Sequence, residues 1–381
     1  MKSKSKSILI LTLGVYLLFS CCNTDKNKMD ISYDSSRIIN VFNKARQGDK
    51  IVLGYIGGSI TQGYAASTEE KKWVNLVTQW WKDTFPKADI SMINAGIGGT
   101  GSNIATFRVK DDLLKYNPDF VIIEFAVNDS LNSKTTEYME GLVRQILSQP
   151  NHPGVMILTL KDVNGTTAQE YQIPVAEHYK IPVVSFADLI DSQVSKDSIA
   201  LKDIFIDGLH PVDIGMKYIA GFIIDELNKL YSNLPENNVQ IPDTILPAPL
   251  LTDSYEYPKS YNFGEIEPVT NSGWVQDGTG WSADKPGDEI TFSLKNCNIA
   301  ILYSMHNDKK RGAAEIWLDN NIPFRLESYW DQTWGPATLF KQVGDNLEKT
   351  EHTLHIKIIE EQPKGSEGHY FHVMKILAAG N

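Results

Sequence analysis

Between residues 50 and 230, apolar runs with the period of a strand alternate with amphipathic stretches with the period of a helix. This alternation restricts the possible fold more than any other feature of the chain. "KIVLGYIG" (50 to 57), "DISMINAG" (89 to 96), "DFVIIEFAV" (119 to 127), "GVMILTL" (154 to 160) and "IPVVSFADLI" (181 to 190) read as strands. Between them "KKWVNLVTQWWKDTF" (71 to 85), "NIATFRVKDDLLKY" (103 to 116), "TEYMEGLVRQILSQ" (136 to 149) and "AQEYQIPVAEHYK" (168 to 180) read as helices. A last helix over 213 to 230 carries Ile214, Tyr218, Ile219, Phe222, Ile223 and Leu227 on one side. Strand and helix taking turns predict an α/β domain, a parallel sheet with helices on both faces. In such a sheet, ligands bind outside the carboxyl ends of the strands, so the loops that follow the strands are where chemistry is expected.

The texture then changes. Prolines at 235, 242, 247 and 249 mark an extended linker. Beyond it "DEITFSL", "NIAILYSM", "AAEIWLDN", "HTLHIKIIE" and "YFHVMKILA" are short alternating runs separated by turn residues, which predict an all-β sandwich, jelly-roll-like, of about 130 residues. A chain of 381 residues has room for both. The expected organisation is an α/β domain over 38–234, a proline-rich linker over 235–252 and a β-sandwich over 253–381. Order is expected to begin near Ile38.

Residues 1–20 read as a lipoprotein signal. Lys2, Lys4 and Lys6 form a basic start, Ile8 to Phe19 an apolar stretch, and Leu18-Phe19-Ser20-Cys21 resembles a lipobox. About 12 apolar residues fall short of the ~20 that span a bilayer, so the expectation is cleavage before Cys21, lipidation of its sulfur, and a polar tether over 21–37. The mature protein would then be exported and membrane-attached through its lipid, in the periplasm or at the outer membrane or cell surface. Removing the signal deletes three lysines and no acid, taking the formal charge from −11 to −14. Nucleic acid is therefore not an expected partner. With Cys21 lipidated, only Cys22 and Cys297 remain, too few for a disulfide framework or a thiolate metal site.

The first strand ends in "GGSITQG", which presents Ser59 after a glycine pair. Small neighbours let a tight turn expose the hydroxyl and let a substrate approach the backbone; a serine capping the next helix is the alternative. A serine nucleophile needs an imidazole to take its proton and an acid to orient that imidazole. Asp207 and His210 in "DGLHP" supply both from one loop ahead of the last helix. Acyl transfer also needs donors for the carbonyl oxygen as it gains charge. A glycine N–H from "NAGIGGTGS" after the second strand, the Asn128 amide from "EFAVNDS" after the third, and the N–H of Ser59 would converge on one crevice.

With these four blocks in order, residues 50 to 230 resemble the SGNH, or GDSL-type, serine hydrolases, whose blocks are a glycine-flanked serine, a glycine, an asparagine in Gly-x-Asn-Asp and an Asp-x-x-His. The resemblance implies a flavodoxin-like parallel sheet and an esterase with Ser59 as nucleophile, His210 as base and Asp207 orienting it. Ser59, Gly99 and Asn128 then form the oxyanion hole, with Gly98 the next choice to Gly99. No metal or other cofactor is implied. Gly58 stands where the family has aspartate and Ala126 where it has glycine. For exported members with an appended sandwich, the resemblance further implies a carbohydrate acetylesterase, removing acetyl from acetylated polysaccharide or oligosaccharide through an acyl-enzyme. A lipase or thioesterase of the same fold would share the triad, and a non-catalytic carbohydrate-binding lipoprotein would need only the sandwich.

Other patterns carry less. Gly96, Gly98 and Gly101 spell a dinucleotide fingerprint, but in the second βα turn and without the acid expected at the next strand end. His352 with His355, and His369 with His372, are three apart on expected strands and so face opposite sides. Five of the eight tryptophans, at 274, 281, 317, 330 and 334, fall in the sandwich, where they are core or sugar-stacking surfaces. Asp129 is expected to orient its loop through local hydrogen bonds. The oligomeric state is not legible.

Overall fold

The computed structural model describes residues 33–234 and 245–380. The signal segment, Cys21, most of the tether and residues 235–244 of the linker lie outside the described residues. Five parallel strands, β1 (Lys50–Gly57), β2 (Asp89–Gly96), β3 (Phe120–Glu124), β4 (Gly154–Thr159) and β5 (Val183–Ser185), form a sheet in the order β2-β1-β3-β4-β5. This is the doubly wound order in which the chain reverses direction across the sheet between β1 and β3. Successive side chains of a strand point to opposite faces, and here each face has its own core. Ile51, Leu53, Tyr55, Phe120, Ile122, Met156 and Leu158 enter one, while Ile56, Val121, Ile123, Val155 and Ile157 enter the other.

Helices cover both faces. The first core is closed by α1 (Ser36–Gln47), α3 (Trp73–Thr84), α7 (Phe186–Lys196) and α8 (Asp213–Ser232), and the second by α4 (Ser102–Asp112), α5 (Lys134–Leu147) and α6 (Gln169–His178). One short helix, α2 (Ser59–Gln62), follows β1 directly. On α1 the buried Ile38, Val41, Phe42 and Ala45 recur at helical spacing. Phe42 packs against Trp80, Trp81, Phe85 and Tyr231, a burial worth roughly 1.5–3 kcal/mol.

One segment departs from the sequence expectation. The strand expected over 181–190 stops at Ser185, and α7 begins at Phe186. Ser185 caps that helix, its Oγ accepting from Asp188 N at 3.1 Å. Phe186, Ala187, Ile190 and Val194 then bury one helical face. The apolar run was continuous across a strand and a helix, so its length concealed the boundary.

The C-terminal part is a β-sandwich. One sheet runs Phe324–Glu327, Ala313–Leu318, His352–Ile358, Glu289–Leu294 and Thr270–Ser272. The other runs Ala337–Gly344, Asn298–Met305, Phe371–Ala379, Gly280–Ala283 and Val275–Asp277, with Lys259–Tyr261 also paired to Phe371–Ala379. Trp274, Trp281 and Phe292 fill the space between the sheets. On the outer side of the second sheet Ala300, Leu302, Leu377 and Ala379 pack with Ile104, Phe107, Tyr138 and Tyr255. That layer joins the sandwich to α4 and α5. The end of the linker is fixed there too: buried Glu140 accepts from Leu250 N, from Leu251 N and Thr252 N at 2.8 and 2.9 Å, and from Tyr179 Oη at 2.7 Å. Arg144 reaches Glu256 Oε2 through Nε and Nη2 at 3.1 and 3.0 Å.

Candidate active site

Ser59 is the first residue of α2. The residue in capping position is Gly58, and no side chain caps the helix, so the Ser59 hydroxyl is not used as a cap. It goes to His210 instead: Ser59 Oγ lies 2.8 Å from His210 Nε2. Gly63 ends the helix at φ +92°, a left-handed turn that lets its N–H return to Ser59 O at 3.0 Å. Gly58 is required by space. A Cβ there would lie 2.2 Å from Asn128 Oδ1, so any side chain at 58 displaces the Asn128 amide.

The loop before α8 turns tightly. Asp207 Oδ1 accepts from Leu209 N at 3.0 Å and His210 N at 2.8 Å, leaving Oδ2 to bind His210 Nδ1 at 2.6 Å. Partial burial pushes the Asp207 carboxyl up, but the bonds from the His210 ring and backbone and from Leu209 N outweigh it and hold it below its ordinary value. An ionised Asp207 on Nδ1 leaves Nε2 to face the serine. Asp213, in the first turn of α8, ties this loop to the one after β1, accepting from Ser67 N at 2.8 Å and Lys71 Nζ at 2.7 Å.

The loop after β2 supplies Gly98 and Gly99. Gly98 N donates to Gln62 Oε1 at 3.1 Å, whereas Gly99 adopts φ +71° with open space on its Cα and no recorded hydrogen bond on its N–H among the described residues. The loop after β3 supplies Asn128, whose Nδ2 is likewise unpaired among the described residues and whose Oδ1 is buried without a partner. Asp129 does more than local orientation. Its Oδ1 accepts from Ser102 N at 2.6 Å, at the start of α4, and its Oδ2 from Gln172 Nε2 at 2.7 Å, on α6. The sequence expectation of local bonds is corrected to long-range ones, because β3 lies between the elements it must hold. Burial raises the Asp129 carboxyl to about 6 despite these donors.

Several residues at the site were missed in the sequence. Glu124, the last residue of β3, is fully buried and receives Thr61 Oγ1 at 2.8 Å. Arg108 of α4 is buried and donates to Ala95 O at 2.7 Å and Gly57 O at 3.1 Å, clamping the ends of β2 and β1. The Tyr64 ring sits edge-on to the His210 imidazole at 4.5 Å and is 57 % exposed. Tyr64, Ile97, Leu131 and Ile206 give the four loops one exposed apolar side chain each. A polar charge in an apolar strand run was the available signal for Glu124.

Patterns set aside in the sequence fall elsewhere. His352 Nδ1 bonds Asp319 Oδ2 at 2.8 Å, and His355 Nδ1 bonds Glu289 Oε1 at 3.1 Å while its ring stacks on Trp317. Trp274 and Trp281 are core, and Trp334 is exposed against Trp330. A cleft of about 910 Å³ lies at the seam of α4, α5 and residues 256–265 and includes none of the Ser59 cluster.

The arrangement can move a proton from a serine hydroxyl to an imidazole held in one tautomer, beside free donors. Comparisons agree with that chemistry. The model of the GDSL-like lipase/acylhydrolase family matches residues 55–218. The crystal structure of a two-domain esterase, CEX, active on acetylated mannans is 32 % identical, with a TM-score of 0.83 over 92 % of this chain and 96 % of that one. The same esterase co-crystallised with mannopentaose aligns over the same shares with a TM-score of 0.82. An arylesterase of Vibrio mimicus is 25 % identical over 184 residues, 46 % of this chain and 86 % of the relative. The chain belongs to the GDSL-like lipase/acylhydrolase family. It is a carboxylic ester hydrolase with an appended β-sandwich.

Proposed function

We propose that the protein removes acetyl groups from acetylated polysaccharide, of the mannan class, through an acyl-enzyme on Ser59. Ser59 Oγ attacks the ester carbonyl carbon and its proton passes to His210 Nε2, with Asp207 holding the imidazolium. The N–H groups of Ser59 and Gly99 and the Asn128 amide receive the oxyanion, each such donor being worth about 10²–10³ in kcat. Collapse breaks the bond to the sugar oxygen, which takes the proton from His210. Water, deprotonated by His210, then attacks the acyl-serine; the bond to Ser59 Oγ breaks, His210 returns the proton to that oxygen, and acetate leaves.

The observation that carries this reading is the Ser59–His210–Asp207 relay, with contacts of 2.8 and 2.6 Å, on loops that also bring free donors. The substrate class is supported by a likeness over both domains to an esterase active on acetylated mannans. Tyr64 and its apolar neighbours on the loops suit the non-polar faces of sugar rings. The lipobox-like start supports export and lipid attachment at Cys21, on the side of the membrane where polysaccharide is met. Acetate release from acetylated mannan by purified protein, set against acetylated xylan and long-chain esters, tests the reading. Release from mannan that falls by about 10³ or more in Ser59→Ala supports it; undiminished release in that variant, or a preference for long-chain esters, overturns it.

A further inference from the structure

Glu124 is a fully buried acid beside the nucleophile's turn that the mechanism does not use. It ends β3 two residues from the nucleophile's neighbourhood in register, with Gly57 opposite Glu124 across the sheet. Its Oε2 takes the Thr61 hydroxyl from α2 at 2.8 Å, and the nearby Gly58 backbone N–H favours negative charge on the carboxyl. Its Oε1 is buried and has no partner. Around the same glycine a second acceptor is also orphaned: Asn128 Oδ1, whose position excludes a Cβ at 58. A buried acceptor left unpaired is costly for as long as it remains an acceptor. A proton on the carboxyl converts Oε1 into a donor and removes a charge that nothing nearby neutralises.

We propose that Glu124 is a positioning residue for the oxyanion side of the site: held as the neutral acid, it braces through Thr61 the Gly58–Ser59 turn on which Asn128 packs, and its ionisation lowers activity. The inference rests on Ser59 being the nucleophile. A carboxylate under the turn would oppose the negative charge that develops on the substrate oxygen, because the site is buried and charge is poorly screened there. The groups facing it are few. Asp129, on the loop that follows β3, adds negative charge and favours the neutral form. Arg108 approaches from α4 but spends its guanidinium on Ala95 O, Gly57 O and Asp112. His210 lies across Ser59. Burial is the largest influence, and the carboxyl is pushed up to about 7 against the pull of Thr61 and Gly58.

The test is the pH profile of acetate release, blank-corrected from pH 5 to 9, for wild type, Glu124→Gln, Glu124→Ala and Ser59→Ala. Wild type should fall on the alkaline side near pH 7 to 8. Glu124→Gln cannot ionise; its alkaline limb should vanish, with kcat at pH 6.5 reduced less than tenfold. Glu124→Ala should lose about 10² in kcat with KM little changed, as expected for weakened oxyanion donors. A second readout applies even where a variant is inactive. A carboxyl raised on folding costs stability as pH climbs from its unfolded value near 4.3 through about 7, so the melting temperature of Glu124→Gln should exceed wild type at pH 8 and the gap should close towards pH 4.5. No alkaline limb in wild type, an unchanged limb in Glu124→Gln, or wild-type kcat in folded Glu124→Ala overturns the inference while leaving Ser59 in place. Activity surviving in Ser59→Ala overturns the reading beneath it instead.

Discussion

Gly58 is the residue at which this chain differs most informatively from the pattern it resembles, which has an aspartate there. The reason is steric. Asn128 Oδ1 occupies the space a Cβ would need, at 2.2 Å. Because that atom ends a side chain, the backbone survives a substitution, but the amide that would receive the oxyanion has to swing away. Gly58→Ala is expected to leave the melting temperature within a few degrees and to lower kcat on an acetyl ester by about 10². Unchanged kcat would mean Asn128 is not held where the mechanism needs it. Residues of this kind explain what was legible. Ser59, Asp207, His210, Gly99 and Asn128 could be singled out because their four blocks come in a fixed order, although each block alone is ordinary turn chemistry. Glu124 and Arg108 were not: each sits inside a regular element, and only the fold shows that Glu124 holds Thr61 of α2 and that Arg108 holds the ends of β1 and β2.

At the scale of elements, the alternation of strand and helix was readable because the sheet's strands feed a core on each face while each covering helix turns toward only one of those two cores. Reading failed where one apolar run served two elements, as at 181–190, and where strands lacked a buried face. Thr270–Ser272 is exposed throughout and Val275–Asp277 nearly so, so neither shows the alternation that marks a strand. The boundary at Ser185 has a testable energy. Its Oγ caps α7 through Asp188 N and also donates to Gln169 Oε1 at 2.6 Å. Ser185→Ala should destabilise by ~1 kcal/mol in chemical denaturation, the usual worth of a cap, with activity retained. A loss near zero would show that the packing of Phe186 and Ile190 alone sets the start of the helix.

For the whole molecule, the sandwich is fastened to the catalytic layer rather than tethered to it. Glu140 gathers the backbone of 250–252, Arg144 grips Glu256, and Tyr255 is buried against Gly141, where a Cβ would meet its own at 2.3 Å. Arg144→Ala leaves Glu256 without its partner and removes the donor to Tyr179 Oη and Pro247 O; breaking one side of a largely buried pair costs about 3–5 kcal/mol. A calorimetric melt should show one transition in wild type and a large downward shift in the variant. Two separate transitions in wild type would mean the parts are energetically independent. That fastening gives the linker's end a purpose its proline content did not reveal, since an extended segment was expected and a hydrogen-bonded one is found.

The central claim is that one relay, Ser59–His210–Asp207, deacetylates polysaccharide. Acetate released from acetylated mannan by purified wild type and Ser59→Ala, measured side by side with folding checked by melting temperature, tests it most directly. Steady release by wild type and a loss of about 10³ or more in the variant at equal stability are expected. Release that persists in Ser59→Ala, or that is absent from wild type while long-chain esters are cleaved, would contradict it.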